Sequence, residues 1–526
     1  MISNSISVAD MCMGVVRGIS FGLFGKAEEF IQEARGLNAK VVRAYLYWSQ
    51  IEPSPGSYSW ITADALLDQF DGEEEVWITL CSSSMWATRV STDFLPASPA
   101  NDLASYGEFV RRTVERYAGR VKYWQCENEP SNVGLLWAGA AEEYISHLTE
   151  FHRAVRAADP DAFVVLGGCG YDFFSSEAGG APRLFFEHLA MAGRDIFDLF
   201  DVHLYGDPYN IPTYVEQVRR LMQGCGYEKP ILAGEYSGPS LFEFPEAEGA
   251  MQKELSHLFS APPAALSKEE LGRAVREDSA ERRAMRGLYA RMQHLPPKLQ
   301  MFMVGCPADL ESKRHRIACR QLVMRNILAI SCGVSRTLYW NLAPEVPGPA
   351  DAYQIMHLLI GKYPLLDYRV GKLDYRQPEA DTFELLARSL AGISTLTRLQ
   401  IEGEGTIFAF VMEREHREPI LILWDQRDAF DGEHAPPIEV KIPWSAGRAD
   451  AVDVFGKALP VRVFARSLQM SVSDTPVLIS AGSIRDLERS TEIRWQNTFE
   501  RRLESEDSTY WESGNTQCKR LNARRR

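Results

Sequence analysis

YWQCENEPSN, residues 123–132, is an aromatic-rich apolar run that breaks into two acidic residues around an asparagine and stops at a proline. The run reads as a buried strand. A carboxylate at its end faces desolvation and needs a partner or a task. Pro130 ends the extended segment, because it has no N–H to give a sheet ladder. A capped turn leading into a helix would account for Glu127-Asn128-Glu129-Pro130 equally well, so the tetrapeptide alone decides little. Its weight comes from the rhythm of the chain around it.

Seven other apolar runs share that rhythm: GVVRGISF (14–21), AKVVRAYLYW (39–48), EVWITLCS (75–82), AFVVLGGCG (162–170), FDLFDVHLY (197–205), KPILAGEYS (229–237) and VSRTLYWNL (334–342). With VKYWQCEN (121–128) they make eight. Between them lie stretches such as ASYGEFVRRTVERYAG and AAEEYISHLTEFHRAVRAAD, apolar at three- and four-residue spacing with charges opposite. Eight β/α units in series predict a closed (β/α)8 barrel over residues 1–375, an α/β fold. An open doubly wound sheet would show the same local pattern. No Gly-x-Gly-x-x-Gly follows the first run, which counts against a nucleotide-binding version of it.

Some 90 residues separate the seventh and eighth runs, far beyond the roughly two to six of an ordinary barrel loop. Residues 241–325 therefore read as a helical insertion, with LSKEELGRAVREDSAERRAMRGLYARMQHL as one or two charged helices. It either walls the mouth of the barrel or decorates the surface. From 376 the pattern changes to short alternating strands (TIFAFVMER, PILILWDQ, IEVKIPW, AVDVFG, LPVRVFA, TPVLIS) between Gly, Pro and Asp turns. That predicts a small antiparallel β-sandwich over 376–483. Residues 484–526 form a charged tail poor in aliphatic residues, either mobile or packed on another subunit of a homo-oligomer.

The formal charge of −14 over 526 residues argues against a phosphate-tracking surface, hence against nucleic acid as a partner. No window approaches the roughly 18 uninterrupted apolar residues of a membrane span. The start, MISNSISVADMCMG, lacks the charged-then-apolar pattern of a secretory signal. Of nine cysteines, Cys81, Cys126 and Cys169 sit in successive strand runs, and no Cys-x-x-Cys pair offers a thiolate zinc site. A reduced, cytoplasmic setting is the expectation.

In a barrel, Glu129 closes strand four and Glu235, in KPILAGEYSG, closes strand seven. Both then stand on the rim where barrel loops build an active site, on roughly opposite sides of its mouth. Two facing carboxylates suit glycoside cleavage: one holds a proton for the departing oxygen, the other stays ionised beside the developing oxocarbenium carbon.

At this point the chain resembles the retaining glycoside hydrolases with (β/α)8 barrels, the clan A or 4/7 superfamily, and most of all family 39. VVRAYLYWSQIEPSPGSYSW (41–60) is similar to that group's Arg-then-W-x-x-IEP-x-x-G-x-Y-x-W segment, and VERYAGRVKYWQCENEPSN to its RY-x-x-R-V-x-x-W-x-x-x-NEP run. AADPDAFVVLGG resembles its entry into strand five, and a trailing sandwich is what family 39 members carry. The resemblance implies Glu129 as acid/base and Glu235 as nucleophile. It implies Asn128 on the sugar 2-hydroxyl, Arg43 supporting the nucleophile, and the strand-six pair His203 and Tyr205 reaching the nucleophile and sugar. Trp340 would be the aromatic platform under the ring, and Trp48 and Trp86 stacking residues for further sugars.

Arg43 could instead neutralise Glu52 or Glu127, and Trp86 could line the barrel wall. Glu127 has no assigned role. The activity implied is hydrolysis of a glycosidic bond, β-linked by expectation, by double displacement, with a carbohydrate partner and no metal or organic cofactor. A transglycosylase would use the same residues, and a non-catalytic carbohydrate-binding barrel would need only some of them. A metal-dependent barrel hydrolase would want an early His-x-His pair, which none of the ten histidines forms.

Overall fold

Alternation along each apolar run sorts side chains to the two faces of a closed sheet. In the second barrel strand, Val41–Tyr47, residues Val41, Tyr45 and Tyr47 join an inner cluster, while Val42, Ala44 and Leu46 join the outer layer under the helices. The third, Glu75–Cys81, divides the same way: Trp77 and Cys81 inward, Val76, Ile78 and Leu80 outward. We describe the chain from a computed structural model covering residues 4–8, 10–25, 27–255, 267–270, 278–345, 352–401 and 405–481. The tail expected over 484–526, and residues 256–266 and 271–277 of the expected insertion, lie outside the described residues.

The remaining barrel strands are Cys12–Val16 (first), Tyr123–Cys126 (fourth), Phe163–Val165 (fifth), Phe200–His203 (sixth), Ile231–Tyr236 (seventh) and Arg336–Trp340 (eighth). All pair in parallel, in the order 5-4-3-2-1-8-7-6. Bridges Val165↔Leu199 and Cys169↔Val202 close the fifth strand onto the sixth. The fold is therefore a (β/α)8 barrel, and the open-sheet alternative falls.

The interval between strands seven and eight holds helices Pro245–Leu255, Ala280–Ala290 and Pro297–Gln300 around an apolar cluster of their own, including Phe244, Met251, Met285, Leu288, Met301 and Phe302. It also holds the 24-residue helix Ala308–Ser331, buried almost continuously from Arg314 to Ile330 and leading directly into strand eight. That helix takes the crossover position of the barrel. It also fixes the mouth: Arg325 donates to Glu243 (2.7 Å) and to the Leu204 carbonyl (3.0 Å), and Gln321 Nε2 donates to Glu243 (2.6 Å). The chain just before Tyr205 and the segment after strand seven are thus tied to a buried helix.

Beyond the barrel, two antiparallel sheets stack. One has six strands in the order Asn4–Ser7, Ile393–Leu399, Ile407–Arg414, Arg417–Asp425, Val477–Ser480, Asp450–Asp453. The other has three: Ile438–Pro443, Ser467–Val472 and Arg462–Phe464. Ala409, Leu421 and Leu423 face Val440, Ile442 and Leu468 between the sheets. Ile420, Ile422 and Trp424 point the other way into the barrel's outer layer, where Trp424 Nε1 donates to the Tyr209 hydroxyl at 3.1 Å. Helix Pro378–Ser389 falls where short strands were expected to begin; Pro378 at its start and Glu379 and Asp381 in its first turn favour a helix N-terminus.

Candidate active site

Strands two, three, four and six each turn a polar side chain into the barrel. Arg43, Thr79, Gln125 and Asp201 are fully buried there and satisfy one another. Arg43 Nε donates to Thr79 Oγ1 (3.0 Å), Thr79 Oγ1 to Gln125 Oε1 (2.7 Å), and Gln125 Nε2 to Asp201 Oδ2 (2.7 Å). Asp201 Oδ1 accepts the Gly234 N–H at 2.5 Å. This polar layer is the floor on which the rim groups stand.

Glu235 lies at the centre of those groups. Its Oε1 accepts from Arg43 Nη1 (3.0 Å) and the Tyr45 hydroxyl (2.8 Å), and its Oε2 accepts from the Tyr205 hydroxyl (2.9 Å). The second Arg43 nitrogen donates to Asn128 Oδ1 at 2.8 Å. Glu129 faces the same space. The His203 Nδ1 lies 2.6 Å from Glu129 Oε1 and 3.4 Å from Glu235 Oε2, and one oxygen of each glutamate and this nitrogen lie within 4.8 Å of one another. Asn128, Glu129 and Tyr205 are partly exposed, so the pocket opens to solvent on that side.

Glu127 and Glu129 have left-handed backbones, with φ of +62° and +39°, in a region that side-chain-bearing residues avoid. Strain on the order of 1 kcal/mol persists where surroundings over-determine it, and such sites cluster at functional positions. Gly168, at the end of strand five, has a local reason to be glycine: a Cβ there would sit 2.1 Å from His203 Nε2. Its absence leaves room for the imidazole that reaches both glutamates.

The electrostatics follow from burial and from these partners. Burial works against a charge on His203, but Glu235, Asp201 and the bond to Glu129 outweigh it and push the ring up to about 10, so it is an imidazolium at neutral pH. Burial likewise opposes charge on Arg43, yet Tyr45, Glu235 and Asp201 hold it charged. Burial raises the Tyr45 and Tyr205 hydroxyls far above their ordinary range, so both remain donors. Burial, with a further push from Glu129, raises the Glu235 carboxyl; His203 and Arg43 pull it back. Three donors converge on Glu235, whereas the Glu129 side chain, among the described residues, has only His203. Hydrogen bonds to the charged form favour that form. These donors therefore offset the burial of Glu235.

Trp340 closes strand eight with its ring edge-on to Tyr45, centroids 6.4 Å apart, in the same inner cluster. Trp86 is held from the side of strand two. Its indole N–H is taken by the Glu52 carbonyl (3.0 Å) and its ring packs edge-on to Trp48 in the outer layer. Trp48 is wholly buried there and so is not available for stacking on a sugar. Arg43 makes no pair with Glu52 or Glu127. Tyr45, Thr79, Gln125 and Asp201 were missed by sequence reasoning, although each is a polar residue at an inward step of an apolar run. Glu129, His203 and Glu235 also have a spacing that a cation could use. Of the neighbouring acids Asp71 and Glu74, the first exposed and the second buried, both are engaged by Arg35.

Glu127 itself is wholly buried; Oε1 accepts the Ser82 N–H at 2.9 Å and Oε2 has no partner among the described residues. Burial pushes its carboxyl up to about 8. Its proton is therefore kept in the folded chain at pH values where the unfolded chain has lost it. Stability from this group is fully present below the unfolded value near 4.5 and is lost as pH rises through about 8. Glu127→Gln carries no such slope. The Tm difference between the two proteins should shift in favour of the variant from about pH 5 to 8 and then level off, as read by melting scans across that range; parallel curves would contradict a neutral buried Glu127.

No family model matches the chain, and no curated protein matches it. Solved structures do. A family 39 glycoside hydrolase from the gut symbiont Bacteroides cellulosilyticus WH2 is 13% identical with a TM-score of 0.59, covering 90% of this chain and 81% of that one. A GH39 β-xylosidase from Caulobacter crescentus is 12% identical with a TM-score of 0.54, covering 91% and 97%. A glucosidase from Croceicoccus marinus is 13% identical with a TM-score of 0.54, covering 90% and 96%. At such identities the likeness speaks for architecture: this chain has the fold of solved family 39 glycoside hydrolases, barrel and sandwich together.

Proposed function

We propose that the chain is a retaining glycosidase that cleaves a glycosidic bond, β-linked in the substrate, of a glycoside or oligosaccharide by double displacement. The observation that carries this reading is the spacing of Glu129 and Glu235. Oxygens within 4.8 Å of one another fit the close pair, about 5–5.5 Å between carboxyl groups, of a retaining enzyme. An inverting enzyme separates them by about 6.5–9.5 Å to admit a water.

In the first step Glu235, oriented by Arg43, Tyr45 and Tyr205, attacks the anomeric carbon, and Glu129 gives its proton to the leaving oxygen. In the second, Glu129 takes a proton from water, which displaces Glu235 from the sugar. Asn128 would donate to the hydroxyl beside the reacting carbon; Arg43 occupies its carbonyl oxygen, and its NH2 has no acceptor among the described residues. Trp340 offers a ring face inside the same cluster. The solved structures of similar fold include a β-xylosidase and a glucosidase, which supports a carbohydrate substrate.

The test is a screen of aryl glycosides with NMR reading of the first-formed sugar. Release of the same anomer as the substrate is the expected result; the opposite anomer would overturn the retaining mechanism. Glycosyl transfer to added sugar in place of hydrolysis would identify a transglycosylase. Binding without cleavage would identify a carbohydrate-binding barrel.

A further inference from the structure

Asp172 opens the helix after strand five, in the first turn of Tyr171–Ser175, and none of the roles above uses it. Its Oδ2 accepts from the buried Ser131 hydroxyl at 2.8 Å, and its Oδ1 is buried without a partner among the described residues. Ser131 stands two residues beyond Glu129, so the turn carrying one carboxylate grips the other. Gly170 marks how close they come. A Cβ on Gly170 would lie 2.7 Å from Asp172 Oδ1 and 2.9 Å from both Glu129 Cδ and Oε1. The two carboxyls share the space that this missing side chain leaves.

Glu129 therefore has two charged neighbours of opposite kind. The His203 cation favours its ionised form; a carboxylate beside it favours the protonated one. We propose, building on the glycosidase reading, that Asp172 is a positioning residue that offsets His203 and keeps a proton on Glu129 for delivery to the leaving oxygen. Ser131 holds it in place and Gly170 makes room for it. The titratable groups around this pair are His203 and Cys169 for Asp172, and His203, Glu235, Tyr205 and Cys169 for Glu129. Cys169 and Tyr205 stay neutral because burial raises both, so His203, Glu235 and Asp172 supply the charge. Burial, and then the Glu129 charge, push the Asp172 carboxyl up to about 6, so it carries its charge above that pH.

Asp172→Asn keeps the bond from Ser131 and removes the charge. The alkaline limb of its kcat/KM profile should move to lower pH by about one unit. At pH 8 an alkyl glycoside, whose leaving group needs the proton, should lose roughly tenfold, whereas a dinitrophenyl glycoside, which does not, should stay within about twofold. Ser131→Ala, which loosens Asp172 but leaves a carboxyl present, should move the limb the same way by less. An unmoved limb, or equal losses on both substrates, would overturn the proposal. Glu129→Gln is the control for the underlying reading: if it shows no leaving-group dependence, the assignment of Glu129 fails independently of Asp172. Where turnover is too slow to follow, 13C titration of the Glu129 carboxyl, identified by its absence from Glu129→Gln, should show a lower midpoint in Asp172→Asn; an unchanged midpoint overturns the proposal.

Discussion

Glu235→Ala should lower kcat on any cleaved aryl glycoside by roughly 10⁴- to 10⁶-fold, the range seen when a covalent nucleophile is removed and binding and proton transfer survive. The reason is geometric. Among the described residues, Glu235 is the only carboxylate on which Arg43, Tyr45 and Tyr205 all converge. Shortening the side chain also leaves a small cavity at the face of the sugar opposite the leaving group. Azide should enter it and restore cleavage with inverted configuration, giving an α-glycosyl azide from a β-glycoside. Glu129→Ala should behave differently, retaining glycosylation by substrates with good leaving groups and yielding an azide of retained configuration. The two product stereochemistries assign the roles without reference to rate. If Glu235→Ala kept near-normal turnover, the pairing of these glutamates would have nothing to do with catalysis.

The barrel was legible because each strand combines apolar β-branched and aromatic residues with a helix-period stretch after it, and eight such units admit few topologies. Glu129 and Glu235 were legible for a second reason: each interrupts a buried run at the end where barrel loops gather. The floor beneath them was harder to see. In VVRAYLY and FDVHLY the polar residues fall at alternate positions, which reads equally as a half-solvated strand. Only closure of the sheet shows that Arg43 and Asp201 face one another rather than water. Strand Asn4–Ser7 pairs with Ile393–Leu399, and no local signal spans that separation. The helix Ala308–Ser331 misleads for the opposite reason. Its many arginines suggest a surface, yet Arg314, Arg320 and Arg325 are buried against Glu379, Asp474 and Glu243. Trp86 shows what position alone leaves unread: its indole donates to the Glu52 carbonyl.

Arg43→Met tests how far the site depends on one buried cation. The guanidinium binds four partners from three strands or their ends: Thr79, Asn128, the Gly234 carbonyl and Glu235. Methionine fills much of the volume and satisfies none of them. Breaking a buried ion pair from one side costs about 3–5 kcal/mol, because the remaining charge stays in a poor dielectric. That is a large share of the 5–15 kcal/mol a domain commonly has, so Tm should fall clearly. Activity should fall with it, by roughly 10²- to 10³-fold in kcat/KM, as for loss of one preorganised donor. The pH profile separates the two effects. Arg43 pulls the Glu235 carboxyl down against burial, so its loss should raise the pH at which Glu235 ionises and move the acid limb upward. Arg43→Lys should recover much of the stability through charge alone. It should recover little of the activity, because an ammonium cannot span Asn128 and Glu235 together as the planar fork does. An acid limb in Arg43→Met that matches the wild type would mean that Glu235 owes its ionisation to the tyrosines and His203, and that Arg43 serves only to hold the strands in register.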